Sequence, residues 1–355
     1  MSEPRRSLRV LVVDDSNVNR HVITEALTGS GKMTVVGHAS NGEQALRMVA
    51  ELEPDAVTLD VQMPKMDGFT FLRILMATRP IPVVVLSSFA HSEIVFRALE
   101  LGAVDFVAKP DDLLGSNKVG WRVELVEKML SILRQEAQPR RFEVPAEGAN
   151  ADRKPSPVPP KFVAAIASST GGPGALLHVM SRLPPTFGGA IVIAQHMAPG
   201  FTRTFAERLN RTTPLAVREA QDGEPVYAGH AYVCPGGSCI ILKRENGVTR
   251  VGVVAPTEND RYVPSGNRLL TTAAAVFGSR SLGIVLTGMA DDGVAGARAI
   301  RTVGGTVIAE SQESAVVYGM PGAVVAANLA SKILPLSEIA DELARPVMLR
   351  TSRTV

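Results

Sequence analysis

Residues 161–180 read KFVAAIASSTGGPGALLHVM, an apolar run followed by a glycine-rich turn and a second apolar stretch. The run at 162–167 predicts a buried β-strand, and the residues after the glycines predict an amphipathic helix. A strand joined to a helix by a short loop is the repeating unit of a parallel α/β sheet. This stretch therefore predicts an α/β fold that presents Ser168 and Ser169 at the carboxyl end of a strand.

The same alternation extends along the whole chain. In the second half, apolar runs at 190–195, 283–287 and 306–309 predict further strands, and a β-rich insertion over 215–254 carries turn signals. No internal repeat relates the two halves. The first half predicts five strands, with helical patterns at 43–52 and 94–101 between them; the strands lie at 9–15, 34–39, 56–60, 82–87 and 105–109. The sequence thus predicts a five-stranded parallel sheet, then a doubly wound α/β domain with a β-hairpin-rich insertion.

The stretch at 139–160 interrupts this pattern. It contains six prolines among small and charged residues. Proline removes backbone donors and favours extended conformations, so this stretch is predicted to be a linker. We expect one domain at 1–138 and a second at 161–350, in agreement with a length of 355 residues.

The composition is that of an ordinary globular protein. Apolar residues make up 45% and charged residues 20% of the chain, which argues against disorder. The formal net charge is +2 and aromatic residues are 5%, so neither charge nor base stacking indicates a nucleic-acid partner. The sequence shows neither a signal peptide nor an apolar run long enough for a membrane span, so we expect a cytoplasmic protein without membrane insertion. Cys234 and Cys239 are expected to be buried and reduced.

Charged and polar residues follow the predicted strands of the first half. Asp14 and Asp15 end the first strand, Asp60 the third, Ser87 the fourth and Lys109 the fifth. Carboxyl ends of parallel strands meet at one edge of a sheet, so these side chains are expected to converge. Oxygen ligands of this kind suit Mg²⁺, and the lysine suits a phosphoryl group. Each aspartate taken singly could instead cap a helix.

These residues lie in runs that resemble the response-regulator receiver family. The runs are LVVDDS at 11–16, LDVQMPKMDG at 59–68, LSS at 86–88 and DFVAKP at 105–110. The resemblance covers about residues 8–135. It implies a flavodoxin-like fold, phosphorylation of Asp60 by a CheA-type histidine kinase, and a phosphoryl-binding role for Lys109.

The receiver resemblance also implies a metal site and a switch. Mg²⁺ would be held by Asp15, Asp60 and the carbonyl of Gln62, with Asp14 acting through water. Ser87 and Phe106 match the conformational switch positions. At the second of these, phenylalanine provides a ring without a hydroxyl.

Three predicted strand ends of the second half carry a serine, a histidine and an aspartate. They present Ser169, His196 and the pair Asp291 and Asp292. Such residues at one edge could serve as nucleophile, base and orienting carboxylate. The structural alternatives are an N-cap or anion-binding loop for the serine, a buried histidine, and a helix cap for the aspartate. The order Ser, His, Asp differs from that of α/β-hydrolases, and ASSTG at 167–171 lacks the first glycine of G-x-S-x-G. The neighbouring Ser168 leaves the register open by one residue.

The second half resembles the catalytic domain of the chemotaxis protein-glutamate methylesterase family, CheB. The matching runs span roughly 161–345: STGG at 169–172, QHMAPGFT at 195–202, AQDGE at 220–224, GHAY at 229–232, LTGM at 286–289 and YGMP at 318–321. The resemblance implies that Ser169 is the nucleophile, His196 the general base and Asp292 the orienting carboxylate. Thr170 and Met289 match positions near the oxyanion and the substrate.

This chain departs from the family pattern at two places. Ala167 and Ser168 replace the more usual Gly-Ala, and Ala290 and Asp291 replace Gly-Asn. The family register assigns the two roles to Ser169 and Asp292.

The implied function is hydrolysis of γ-glutamyl methyl esters on methyl-accepting chemoreceptors, with release of methanol, and deamidation of receptor glutamines. Mg²⁺ is expected for the receiver only, and the ester chemistry needs no metal. We expect a monomer in which the receiver restrains the catalytic domain until Asp60 is phosphorylated. Two alternatives remain: an esterase of a chemosensory pathway outside chemotaxis, and a receiver with a non-catalytic or DNA-binding output.

Overall fold

The computed structural model describes residues 7–88, 92–110, 118–134 and 157–345. The chain divides into two compact units, Met1–Phe142 and Glu143–Val355. Most of the predicted linker, at 139–156, lies outside the described residues, as does the predicted domain end at 346–350. Within the described ranges, no helix combines the length and apolar character needed to cross a membrane.

The first unit contains a five-stranded parallel sheet with strand order β2-β1-β3-β4-β5, as predicted. Its central strands are almost wholly buried because helices alternate with them along the chain. The elements are β1 (Leu8–Val13), α1 (Asn17–Thr28), β2 (Met33–Ala39), α2 (Gly42–Leu52), β3 (Ala56–Asp60), α3 (Gly68–Thr78), β4 (Val83–Ser88), α4 (Ser92–Glu100), β5 (Asp105–Lys109) and α5 (Lys118–Arg134).

The second unit contains a seven-stranded parallel sheet with strand order β14-β13-β12-β6-β7-β9-β8. Its apolar core lies mainly between the sheet and the helices. The elements are β6 (Val163–Ser168), α6 (Gly172–Ser181), β7 (Ala190–Gln195), α7 (Phe201–Thr212), β8 (Ala216–Glu219), β9 (His230–Val233), β10 (Cys239–Glu245), β11 (Val248–Val254), α8 (Gly266–Phe277), β12 (Ser281–Val285), α9 (Val294–Thr302), β13 (Thr306–Glu310), α10 (Met320–Ala326), β14 (Lys332–Leu334) and α11 (Leu336–Ala344).

The β-rich insertion consists of one hairpin and two strands that join the main sheet. Strands β10 and β11 pair antiparallel through a turn in which Asn246 and Gly247 both have positive φ, as an Asn-Gly hairpin requires. Strands β8 and β9 instead pair parallel with each other and extend the sheet beyond β7. Cys234 and Cys239 are buried and free, as expected.

The centre of the second sheet is a topological switch point. From β6 the chain proceeds to β7 on one side, and it returns later through β12 on the other side. The carboxyl ends of β6 and β12 therefore mark the position at which α/β proteins typically bind ligands. Strand β12 ends at Val285, two residues before the predicted end. The N–H of Thr287 instead donates to the side chain of Glu310, so Thr287 belongs to the loop at this edge.

A buried ion pair connects α5 with β5 in the first unit. The Nζ of Lys128 lies 3.4 Å from Oδ2 of Asp105 and donates to the carbonyl of Phe106 at 2.7 Å. Burial raises the pKa of Asp105, although the charge of Lys128 opposes this shift. Burial alone would lower the pKa of Lys128, but Asp105 and Glu124 raise it. The two charges thus depend on each other for compensation.

Removal of Lys128 alone should destabilise the first unit strongly. We expect Lys128→Met to lower the free energy of unfolding by about 3–5 kcal/mol, because a carboxylate then stays buried without its cation. The double variant Asp105→Asn with Lys128→Met should recover part of this loss. Urea unfolding can be followed by the fluorescence of Trp121, the only tryptophan in the chain, which is buried in α5. A double variant less stable than Lys128→Met would contradict this account.

Candidate functional site

The turn after β6 carries two serines in different environments. Ser168 ends β6 and is fully buried, and its hydroxyl donates to Oε1 of Gln195 at 2.6 Å. Ser169 is 6% exposed, and its backbone N–H donates to the carbonyl of Thr287 at 3.0 Å. The Ser168 hydroxyl is therefore engaged inside the fold, which favours Ser169 as the reactive serine.

The Ser169 turn leads directly into the N-terminus of α6. Gly171 is the N-cap residue of that helix and provides no side-chain cap. The preceding Thr170 is buried, and its carbonyl accepts a hydrogen bond from the Thr287 hydroxyl at 2.8 Å. A helix N-terminus carries unpaired N–H groups and a partial positive charge, so this turn suits a developing oxyanion.

His196 follows β7, the strand next to β6. Ser168 and Gln195 are register partners, and the backbone N–H of His196 donates to the carbonyl of Ser168 at 2.9 Å. The ring is 17% exposed, and its Nε2 lies 2.8 Å from Oδ2 of Asp292. The structure therefore places Ser169 and His196 just beyond a pair of matched strand ends and bonds the histidine to the predicted aspartate.

Asp292 is fully buried, and its oxygens accept hydrogen bonds from three backbone N–H groups. Oδ2 accepts from Gly266 at 2.7 Å, and Oδ1 accepts from Asn267 at 2.9 Å and from Gly293 at 3.0 Å. Gly266 and Asn267 form the first turn of α8, where the helix dipole favours negative charge. Both oxygens act as acceptors, so a proton on Nε2 of His196 completes this set of hydrogen bonds and leaves Nδ1 as the acceptor of the ring.

Asp291, the alternative carboxylate, has other partners. It is exposed, its Oδ1 accepts a hydrogen bond from the Tyr262 hydroxyl at 2.8 Å, and it lies 3.6 Å from Nη1 of Arg261. The Tyr262 ring stacks on His196, with centroids 5.5 Å apart and planes 14° apart. Burial and the bond to Asp291 raise the pKa of Tyr262. The residue bonded to His196 is thus Asp292, while Asp291 belongs to the surroundings of the ring.

The loop after β12 passes close to the Ser169 turn. A Cβ added to Gly288 would lie 2.8 Å from Cβ of Ser169, closer than side chains tolerate. The N–H of Gly288 donates to the carbonyl of Val317 at 2.9 Å, which holds this backbone in place. Met289, the next residue, is half-buried. It lies one residue beyond Gly288 in the same loop.

Two buried polar residues that the sequence analysis missed support the site. Nε2 of Gln195 donates to the carbonyls of Ser169 at 2.9 Å and His196 at 3.0 Å, so one amide joins both segments. Glu310 is fully buried at the end of β13 and accepts hydrogen bonds from the N–H of Thr287 and the hydroxyl of Ser314. The only sequence signal was a polar residue at the end of an apolar run.

In the first unit, the predicted acidic residues converge as expected. Ligand atoms of Asp14, Asp15 and Asp60 all lie within 4.8 Å of one another. Burial raises the pKa of Asp14, against the charge of Lys109, whose Nζ donates to it at 3.1 Å and also to Asp60. Burial alone would lower the pKa of Lys109, but Asp60 and Asp14 raise it. Three carboxylates so close together fit a hard cation such as Mg²⁺.

The remaining predicted receiver residues lie around this cluster or on the two strands beside it. The backbone N–H of Gln62 donates to Oδ1 of Asp60 at 3.0 Å, which places its peptide beside the phosphorylation candidate. Ser87 of β4 and Phe106 of β5 are both buried on neighbouring strands. The Phe106 ring packs edge-on against Phe96, with centroids 6.1 Å apart. Both switch candidates therefore occupy adjoining strands.

Comparison with known protein families assigns each unit. The CheB methylesterase family matches residues 164–343, and the response regulator receiver domain family matches residues 10–114. A protein-glutamate methylesterase/protein-glutamine glutaminase from Geobacter sulfurreducens is 44% identical over 359 residues, covering 95% of this chain and 97% of the relative. Another with that name, from Anaeromyxobacter dehalogenans, is 45% identical over 344 residues, covering 96% and 95%.

Among solved structures, the second unit is similar to the crystal structure of the Thermotoga maritima CheB methylesterase catalytic domain. The two share 39% sequence identity with a TM-score of 0.51, over 53% of this chain and 98% of the other. The similarity therefore covers the unit that carries Ser169, His196 and Asp292.

The two serines should differ in their effect on stability. Ser168→Ala should lower the free energy of unfolding by about 1–3 kcal/mol, because Oε1 of Gln195 loses its buried donor. Ser169→Ala should change it by no more than about 0.5 kcal/mol, since the backbone of Ser169 makes the bonds named above. Thermal unfolding followed by circular dichroism would measure both. A greater loss in Ser169→Ala would show that Ser169 has the structural role.

Proposed function

The chain belongs to the CheB methylesterase family, and from that premise we propose that it hydrolyses glutamyl methyl esters of methyl-accepting chemoreceptors and deamidates receptor glutamines through Ser169, His196 and Asp292. The proposed methylesterase and glutaminase activities are those of the family and of the similar proteins. The assignment to these residues rests on one observation: His196 is bonded to a fully buried carboxylate at the edge where β6 presents Ser169.

In the proposed mechanism, neutral His196 acts as the general base. Its Nδ1 takes the proton from Oγ of Ser169 as the oxygen attacks the ester carbonyl. Asp292, held by backbone N–H groups, stabilises the resulting imidazolium and keeps Nε2 protonated throughout. Backbone N–H groups around Thr170 and Met289, with the N-terminus of α6, would stabilise the oxyanion.

Collapse of the tetrahedral intermediate releases the leaving group. His196 gives its proton to the departing oxygen, methanol leaves, and Ser169 stays joined to the receptor as an acyl-enzyme. Water then attacks with His196 again as base, and the glutamate is released. With a glutamine side chain the same steps expel ammonia in place of methanol, so one site serves both reactions.

The receiver unit would regulate this chemistry through Asp60. We propose that a CheA-type histidine kinase supplies the phosphoryl group and that Lys109 binds it. Asp14, Asp15, Asp60 and the Gln62 carbonyl would hold Mg²⁺, which neutralises charge on the phosphoryl oxygens when bound. Lys109 already contacts two of these carboxylates, so phosphorylation would rearrange an existing set of charges.

Substitution of the three catalytic candidates should separate their roles. Ser169→Ala and His196→Gln should abolish methanol release, and Asp292→Asn should lower kcat by about 10⁴-fold, because the ring is then held in the wrong tautomer. The assay is release of labelled methanol from receptor membranes methylated with a radioactive methyl group. Ser168→Ala is the matched control and should remain active. Loss of activity in Ser168→Ala with retention in Ser169→Ala would place the nucleophile one residue earlier.

Phosphorylation should raise the activity of the full-length protein. A small phosphodonor with Mg²⁺ should increase methanol release by about tenfold, which needs a shift of only about 1.4 kcal/mol in the balance of restrained and active states. Asp60→Ala should block this increase. A fragment lacking residues 1–138 should exceed the unphosphorylated whole protein and ignore the phosphodonor. Equal activity of the fragment and the whole protein, with no response to phosphodonor, would overturn the inhibitory role of the receiver.

A further inference from the structure

We propose that Tyr262 is a positioning residue for His196 and that Asp291 anchors it through the tyrosine hydroxyl. The inference rests on the proposed function, because it concerns how the general base of that reaction is held. Two observations support it: the rings of Tyr262 and His196 are stacked, and the Tyr262 hydroxyl donates a 2.8 Å hydrogen bond to Asp291.

The hydrogen bond to Asp292 does not by itself fix the histidine ring. The χ2 torsion of histidine is a broad one, and a hydrogen bond at Nε2 tolerates a range of angles. Small tilts of the ring would therefore preserve the bond to Asp292 and still displace Nδ1, the atom assigned to Ser169. A flat side chain against the face of the ring limits such tilts. Tyr262 provides that surface, with planes only 14° apart.

Tyr262 is itself held at its far end. Its hydroxyl donates to Oδ1 of Asp291, and the guanidinium of Arg261 lies 5.2 Å from the centroid of its ring. Arg261 also approaches the same carboxylate oxygen, at 3.6 Å. The tyrosine is thus tied to the loop that carries Asp292, and its ring cannot move away from His196 without breaking these contacts.

Two short segments hold the imidazole from two directions. The segment at 261–267 supplies the Tyr262 ring and also the N–H groups of Gly266 and Asn267 that bind Asp292. The segment at 291–293 supplies Asp292 to Nε2 of the ring and Asp291 to the tyrosine. Two adjacent aspartates thus act on His196: Asp292 bonds to it directly, and Asp291 acts through Tyr262. Asp291 is therefore a positioning residue and not a catalytic one.

The first experiment measures kcat and KM of full-length variants with methylated receptor membranes. Tyr262→Leu should lower kcat by about ten- to a hundredfold with KM within about twofold, since the base is misplaced while the substrate still binds. Tyr262→Phe keeps the ring and should restore kcat to within about fivefold of the wild type. The matched control is Tyr227→Leu: Tyr227 is also half-buried and packs on a histidine, His230, at 5.7 Å. Its kcat should be unchanged.

The outcomes of this experiment distinguish the positioning role of Tyr262 from the proposed function itself. With Ser169→Ala inactive, wild-type kcat in Tyr262→Leu would overturn the positioning role alone, whereas an active Ser169→Ala would overturn the proposed function. A raised KM at unchanged kcat would make Tyr262 a substrate contact and would also overturn the inference. An equal loss of kcat in Tyr227→Leu would show that the effect of Tyr262→Leu is general destabilisation and would overturn the inference.

A double-mutant cycle tests whether Asp291 anchors Tyr262. It also tests the inference if Tyr262→Leu does not fold. Tyr262→Phe and Asp291→Ala remove the same hydrogen bond from opposite sides, so each should lower kcat by about two- to fivefold. The double variant should be no worse than the more affected single variant. Multiplication of the two effects would show that the residues act separately, and wild-type kcat in both single variants would show that the bond does not matter.

Discussion

The arrangement of the catalytic unit depends on the hydrogen bonds that compensate one buried carboxylate, that of Asp292. Asp292 lies out of contact with solvent, and such a carboxylate is costly unless its oxygens are paired. Three backbone N–H groups and His196 provide those partners, two of the N–H groups coming from the first turn of α8. The carboxylate therefore joins the loop after β12, the start of α8 and the residue after β7. Its requirement for partners brings the histidine into place.

In the receiver unit the buried group is a cation, and carboxylates compensate its charge. Lys109 is nearly buried and contacts Asp14 and Asp60, so each group lowers the cost of burying the others. The ion pair of Asp105 and Lys128 repeats the arrangement at the opposite end of β5, where that strand begins. In both halves, polar groups collect where parallel strands end, because the strands themselves are covered on both faces by helices. The candidate catalytic and phosphorylation residues therefore lie at the edge of each sheet.

Prediction from sequence succeeded where a residue's position in the fold follows from its place along one strand or in one motif. The five strands of the receiver, the strands flanking Ser169 and the convergence of Asp14, Asp15 and Asp60 were of this kind. It did not find Gln195, Glu310 or Tyr262 as supporting residues, since each acts on segments far away in the chain. The pairing of β8 and β9 was also hidden, because turn signals indicate that strands reverse but not which strand each one joins.

The sequence by itself determined the α/β class, the two-part organisation and the residue types at each strand end, because hydrophobic periodicity and turn residues are local properties of the chain. Between neighbours of the same type, the residue pattern left two candidates and the family resemblance favoured one, but only the tertiary structure shows which partner each residue meets. Ser168 turns inward to Gln195 whereas Ser169 lies beyond the strand, and Asp292 meets His196 whereas Asp291 meets Tyr262. Adjacent residues are equivalent in a sequence pattern, but they point in different directions once the backbone is folded, and only one of each pair can reach its partner.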